Sequence, residues 1–156
     1  MTIRTVTDAI RYVGADDHTL VLFENQYPVQ PMGVSYNSYI ILDEKIAVMD
    51  GVDARAAEEW FSNVEQVLDG RCPDYLVITH MEPDHSGSLI RLVQRYRDMK
   101  IVGNAKTFTM IKQFFGTDAL AEDRMLEVGE GSTLPLGVHR LRFLPAPMIH
   151  WPEVMM

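Results

Sequence analysis

The chain has 156 residues, of which 47% are hydrophobic and 23% charged, and its formal net charge is −8. This length allows one domain with a sizeable core, and the composition is ordinary for a soluble globular protein. The negative charge argues against nucleic acid as a partner, because phosphate binding needs a clustered basic surface. No apolar run approaches the roughly 18 residues that are needed to cross a membrane, so we expect no membrane partner.

Cysteine content and the N-terminal residues bear on location. The first eight residues lack the apolar stretch of a signal peptide. Cys72 is the single cysteine, so no intramolecular disulfide can form, and the cytoplasm is the expected compartment. Cys72 stands beside Pro73 just ahead of a strand, where we expect a packing role rather than catalysis.

The first third of the chain is predicted to form short strands. Residues 21–23 are typical of a strand, and the prolines and glycine of residues 27–33 indicate a loop. Two β-rich runs, at 35–42 and 45–49, are separated by an acidic pair. Together these two runs predict a hairpin.

Helices and strands alternate in the remainder. Asp53 is a plausible N-cap for a helix that Gly70 stops. The elements expected after it are a strand at 75–79, a helix at 89–96 capped by Ser86 or Ser88, a strand at 100–103, a helix from Asn104 to Gly116, and a strand at 140–143 with one solvated face. This order predicts an α/β fold in which a sheet packs against helices.

One loop carries four side chains that can bind metal. The run from His80 to His85 holds two imidazoles and two carboxylates, and it follows the apolar strand at 75–79. Nitrogen and oxygen ligands without a thiolate suit iron, manganese or zinc, and argue against copper(I) or an iron–sulfur cluster. Glu82 projects to the same side as His80 on an extended segment, whereas Asp84 and His85 lie past a proline bend. The loop therefore predicts two adjacent metals.

A simpler interpretation treats the loop as surface polar residues that cap the following helix. Asp84 and Ser86 would serve well as caps, but four such residues together after a buried strand favour metal binding. His150 is a further candidate ligand, because it follows a proline-bounded segment at the end of the last strand. Taken alone, His150 fits a structural histidine better. His18 and His139 are expected at the surface.

Residues 79–88 resemble the metal signature of the flavodiiron proteins, also called A-type flavoproteins. These are oxygen and nitric oxide reductases with a metallo-β-lactamase-like domain. The segments 33–39, 43–45 and 146–153 resemble the same family, so the likeness covers essentially the whole chain. Hydrolytic members of the superfamily have histidine where this chain has Glu82, and that carboxylate separates the diiron redox branch from the zinc hydrolases.

The resemblance assigns the five candidate ligands to two irons by position. It gives His80, Glu82 and His150 to one iron and Asp84 and His85 to the other, although in some members the residue matching His85 does not bind its iron directly. The family supplies a bridging aspartate and one more histidine from beyond this segment, followed by a flavodoxin-like domain that binds FMN.

The resemblance also implies an αββα metallo-β-lactamase-like sandwich. We expect residues 1–156 to form a single domain that is truncated relative to the family, with only the first half of the sandwich and without the flavodoxin-like domain. The second sheet would then be missing, and the apolar face left bare would favour a homo-oligomer.

Three functions follow as hypotheses. The first is a non-haem diiron module that reduces O2 to water or NO to N2O, with electrons from FMN on another domain or from a flavin- or rubredoxin-type partner. The second is a zinc hydrolase of the same superfamily, against which Glu82 counts. The third is an inactive fragment that cannot complete the metal site. The preference for O2 or NO cannot be read from these residues.

Overall fold

The computed structural model describes residues 3–156. These residues form a mixed sheet between a helical layer and a short hairpin. The strands are β1 Arg4–Thr5, β2 Ile10–Tyr12, β3 Ala15–Asp17, β4 Leu22–Phe23, β5 Tyr27–Pro28, β6 Val34–Tyr36, β7 Tyr39–Ile41, β8 Ala47–Met49, β9 Tyr75–Val77, β10 Lys100–Gly103, β11 Met125–Glu127, β12 Thr133–Pro135 and β13 Arg140–Arg142. The α-helices are α1 Ala57–Leu68, α2 Pro83–Ser86, α3 Leu89–Arg95 and α4 Ala105–Phe115, with 3-10 turns at Ala54–Ala56 and Glu122–Arg124.

Seven strands form the main sheet, in the order β1-β2-β7-β8-β9-β10-β11. Adjacent strands among the first four run antiparallel to one another. From β8 onward the strands are parallel, and helices connect them. Three smaller two-stranded pairs join β3 to β6, β4 to β5 and β12 to β13. This arrangement confirms the predicted α/β class.

Alternation along the central strands divides the core between the two faces of the sheet. On one face, strand residues pack against α1, α3 and α4; this cluster includes Ile40, Val48, Leu76 and Ile101 of the sheet and Trp60, Val64, Leu92 and Ile111 of the helices. Residues on the other face pack with the β12–β13 hairpin and the chain end; they include Ile41, Ala47, Val77, Val102, Leu134, Leu136, Phe143 and Met155. The period of two in strands places successive side chains in different clusters.

The second layer of the sandwich is therefore represented by a hairpin of two short strands. The sheet face that we expected to be bare is covered at Val77 and Val102, which are fully buried. The strand at Arg140–Arg142 pairs antiparallel with β12, as its alternating pattern predicted. The remaining side chains at this end include several exposed apolar ones, among them Leu144 and Met156.

The ends of α1 and α4 follow from local capping. The Asp53 carboxylate accepts a hydrogen bond from the backbone N–H of Arg55 at 2.9 Å, so the predicted start is correct, although the first turn is 3-10. The helix stops where Asp69 and Gly70 adopt positive φ, a conformation that glycine takes without steric cost. The Asn104 side chain caps α4 in the same way as Asp53 caps the first turn.

Three local predictions were wrong. Ser88 is the N-cap of α3 but makes no capping bond, because its hydroxyl instead bonds the buried backbone N–H and C=O of Val52, each at 2.9 Å. The run at 35–42 is broken at Ser38, so β6 pairs with β3 and only β7 joins the hairpin with β8. Cys72 is exposed rather than packed.

Among residues 3–156, no helix has the length and apolar character to cross a membrane.

One carboxylate fastens the β12–β13 hairpin to the main sheet. Asp43, in the turn between β7 and β8, accepts hydrogen bonds from the backbone N–H groups of Glu44 and His139, each at 2.7 Å, and of Val138 at 3.2 Å. The His139 ring Nδ1 lies 2.7 Å from the same carboxylate. The N–H of His139, more than the other donors, lowers the pKa of Asp43 below the ordinary range of an aspartate.

We expect Asp43→Asn to destabilise the fold at neutral pH and to change its response to acid. A depressed folded-state pKa contributes stability that is complete above the unfolded pKa, about 3.9, and is lost as pH falls through the folded value. The difference between the native chain and the variant should therefore be largest at pH 7 and shrink below about pH 4. Urea unfolding of both proteins from pH 7 to 3 measures this. Asp118→Asn, which changes an exposed loop carboxylate, should show no such trend.

Candidate metal centre

The candidate site lies where two parallel strands end side by side. Asp50 directly follows β8, and His80 follows β9 after the two residues Ile78 and Thr79. Because the carboxyl ends of parallel strands meet at one edge of a sheet, these two positions open onto the same space. Asp50 has a φ of 54°, and its carboxylate accepts hydrogen bonds from the backbone N–H and the hydroxyl of Thr79.

Three of the predicted ligands converge around one carboxylate oxygen. Glu82 Oε2 lies 2.9 Å from His80 Nε2 and 2.7 Å from His150 Nε2. One donor atom from each residue falls within 4.8 Å of the others. His80 and Glu82 are buried, whereas the His150 side chain is 58% exposed and closes the cluster from outside. We name these three residues the His80 cluster.

The other two predicted residues form a second group beside the first. His85 Nε2 lies 3.7 Å from Asp84 Oδ2, and its Nδ1 lies 3.3 Å from Asp50 Oδ2. The rings of His80 and His85 meet edge to face, with 5.1 Å between their centroids. Asp84 Oδ1 is buried and accepts no hydrogen bond from the described residues. The proline bend thus separates the loop into two adjacent groups, as the spacing indicated.

Burial and neighbouring charges shift the pKa values of the acidic groups in opposite directions. Burial raises the pKa of Asp84. Burial also acts to raise the pKa of Glu82, but hydrogen bonds from Glu24 and the two neighbouring imidazoles outweigh it and lower that pKa to about 2. For His85, burial acts to lower the pKa, and the Asp50 carboxylate reverses this and raises it.

The donor set fits a divalent cation. His80 has a carboxylate oxygen within 2.9 Å of each ring nitrogen, whereas a neutral imidazole can donate from only one. A cation held between the Nε2 atoms and Glu82 would satisfy the second nitrogen without a second proton. Two imidazoles and a carboxylate on one metal are the usual ligands of non-haem iron(II). The orphaned oxygen of Asp84 fits a second cation in the same way.

Two acidic residues of this region were missed by the sequence analysis. Asp50 holds His85, and Glu153 lies against His80 Nδ1 at 2.8 Å. The signal for Asp50 was present, since this aspartate directly follows the β-rich run at 45–49, and the carboxyl ends of strands in open α/β sheets are where ligands bind. Glu153 belongs to the segment 146–153 on which the resemblance rested, but nothing in its spacing indicated contact with His80.

A groove gives access to the cluster from solvent. Its volume is about 370 Å³, and its lining includes Glu24, Tyr36, Glu82, Asp84 and Trp151. Glu24, at the turn between β4 and β5, adopts a positive φ of 51° and lines the groove together with Glu82. The groove thus lies between the β4–β5 hairpin and the candidate ligands.

Comparison with known proteins places this site in a family. The family model described as ODP family beta lactamase matches residues 34–156. The chain is 31% identical over 150 residues to the nitric oxide reductase of Moorella thermoacetica, covering 96% of this chain and 37% of that protein. It is 33% identical over 150 residues to the rubredoxin-oxygen oxidoreductase of Megalodesulfovibrio gigas, covering 96% and 36%.

A solved structure gives the same result. The crystal structure of the flavodiiron protein from Giardia intestinalis superposes with a TM-score of 0.88 at 30% identity, covering 99% of this chain and 37% of that one. The chain therefore belongs to the ODP family of beta-lactamase-like domains, and its expected likeness to the flavodiiron proteins is confirmed. It spans little more than a third of the length of these relatives.

Proposed function

We propose that this chain is the diiron module of a flavodiiron-type reductase that converts O2 to water or NO to N2O. The relatives named as nitric oxide reductase and rubredoxin-oxygen oxidoreductase support both substrates. The observation that carries the proposal is the carboxylate of Glu82 between two histidine nitrogens, at 2.9 and 2.7 Å. A histidine at this position would instead favour the zinc hydrolases.

Each predicted ligand has a place in this proposal. His80, Glu82 and His150 would hold one iron, and Asp84 and His85 would hold the other. The iron pair, when bound, would offer open positions to a diatomic substrate and would pass to it the electrons that the flavin- or rubredoxin-type donor provides. Asp50 contacts the His85 ring at Nδ1 and would orient Nε2 toward the iron. The groove beside Trp151 admits a molecule as small as O2 or NO.

The remaining parts would come from outside these residues. We propose that the bridging aspartate, the last histidine and FMN belong to further chain or to a partner, and that a flavin- or rubredoxin-type donor restores the electrons. The proposal places residues 1–156 in one domain of a cytoplasmic protein. Exposed Met148 and Ile149, near His150, support association with another subunit or domain.

Iron binding and gas consumption test the function directly. The chain, alone and joined to the C-terminal part of a flavodiiron relative, is loaded with iron(II) without oxygen. We expect the joined protein to hold two irons and to consume O2 or NO when a chemical reductant is supplied. Two irons without consumption of either gas would contradict the proposal.

Zinc loading separates the competing hypotheses. A hydrolase would retain zinc in preference to iron after anaerobic purification, and chelation would abolish its esterase or phosphodiesterase activity. An inactive fragment would hold no metal by itself, and two irons held only by the joined protein would locate the defect in the missing ligands. Glu130→Gln, which alters an exposed glutamate in a turn, is the matched control and should leave the iron content unchanged.

A further inference from the structure

Glu153 is a buried acidic residue that the proposed ligand set does not use. It is 1% exposed and lies three residues after His150, in the C-terminal segment. Its Oε1 lies 2.8 Å from His80 Nδ1 and accepts the backbone N–H of Met81 at 2.8 Å. Among the ion pairs of residues 3–156, His80 is the one partner of this carboxylate. A carboxylate buried in this way needs a directed donor to offset its loss of hydration.

Backbone contacts fix the position of Glu153. Its carbonyl oxygen accepts a hydrogen bond from the Asn104 side chain at 2.7 Å. On its two sides, Val154 O accepts from Ala146 N at 2.8 Å, and Met155 N donates to Thr79 O at 3.0 Å. The carboxylate is thus held at the end of a segment that is anchored to the sheet. It does not reach His80 by a flexible surface arm.

Contact at Nδ1 decides what the opposite ring nitrogen presents. A neutral imidazole that donates Nδ1–H to Glu153 offers the Nε2 lone pair to the cluster. Without Glu153, the single ring proton would instead lie on Nε2 and bond to Glu82, 2.9 Å away. The ring could then no longer bind a cation through Nε2. A carboxylate at Nδ1 also makes the Nε2 lone pair a stronger metal ligand.

We propose that Glu153 is a positioning residue that holds His80 in the Nδ1–H tautomer and thereby tunes its affinity for metal. This inference rests on the proposed function, since it takes His80 as a ligand. The C-terminal segment then has two roles, because His150 is itself a ligand and Glu153 orients the ligand His80. Docking of residues 146–155 would set both histidines together.

The tautomer is read in the metal-free chain. Long-range ¹H–¹⁵N correlation spectra are recorded at a pH where the imidazoles are neutral, and the His80 ring is assigned with His80→Gln. We expect the His80 proton on Nδ1 in the native chain and on Nε2 in Glu153→Leu. A native His80 with its proton on Nε2 would overturn the proposal, and this arm needs no variant of Glu153 to fold.

Metal affinity provides the second arm. Iron(II) binding is measured anaerobically by competition with a chromophoric chelator for the native chain, Glu153→Gln and the control Glu130→Gln. We expect Glu153→Gln to weaken binding by about 10- to 100-fold, as loss of an outer-shell carboxylate does, and the control to match the native chain. Affinity within twofold of native in a folded Glu153→Gln would refute the role.

The two arms separate this inference from the proposed function. A chain that shows the tautomer switch and the loss of affinity, yet consumes neither O2 nor NO when completed, would retain the role of Glu153 and lose the reductase. The reverse result would leave the reductase and remove the role of Glu153.

Discussion

Replacing Glu82 by glutamine should remove the first iron of the proposed pair and with it the proposed reduction of O2 or NO. The Glu82 carboxylate lies between His80 Nε2 and His150 Nε2, 2.9 and 2.7 Å from them. An amide of the same shape keeps the packing but removes the charge that a divalent cation needs. We expect iron(II) affinity to fall by more than the roughly 10- to 100-fold that an outer-shell change costs. Chelator competition and iron analysis of the joined protein measure the loss.

The thermal stability of Glu82→Gln should be measured beside its iron content. Glu82→Gln should also lower the thermal unfolding midpoint of the metal-free chain at neutral pH, because the folded structure stabilises the ionised form of Glu82, as its lowered pKa shows. Glu130→Gln should change neither property. Full iron content in Glu82→Gln would show that this carboxylate is not a ligand, and it would leave the zinc hydrolase without its main counterargument.

Truncating Trp60 should have the largest effect on stability. Trp60 is fully buried in the helical layer, and its Nε1–H donates to Ser38 Oγ at 3.0 Å. We expect Trp60→Ala to cost about 3–5 kcal/mol of unfolding free energy, from lost burial and the cavity that remains. That is a large part of the roughly 5–15 kcal/mol that holds a domain of this kind folded. Denaturant unfolding followed by far-ultraviolet circular dichroism gives the value.

Two variants check the cause of this cost. Phe114→Ala removes an aromatic side chain from α4 that is 48% exposed, and it should change stability far less than Trp60→Ala. Trp60→Phe keeps most of the buried area but leaves the Ser38 hydroxyl without its donor, and a cost of about 1–3 kcal/mol is expected. Equal costs for Trp60→Ala and Phe114→Ala would contradict the assignment of the core.

Local patterns predicted the elements that local forces build. Asp53 and Asn104 cap their helices as expected, because the capping bond joins residues two or three positions apart. The strand before His80 and the two groups of the loop were also legible, since all of them lie within one short segment. Strands of two or three residues, such as β1 and β11, carry too few positions for a period of two to be recognised.

Contacts between distant segments were beyond the reach of such patterns. Ser88 has the sequence of a helix cap, but the buried peptide groups of Val52, 36 residues away, take its hydroxyl. Asp50 meets His85 because β8 pairs in parallel with β9. His150 was a weak candidate until the resemblance strengthened it, because no local periodicity relates it to the loop. Whether the five candidate residues bind iron stays a prediction.

The contact between His80 and Glu153 joins residues 73 positions apart. Closing so long a loop has a substantial entropic cost, which the chain can offset only after the central strands and α4 have assembled. We therefore expect the cluster to be completed late in folding, when the C-terminal segment docks beside Thr79. This segment is held to the rest of the molecule by hydrogen bonds and by the buried side chain of Met155, so its opening would have to break both before His150 could leave His80.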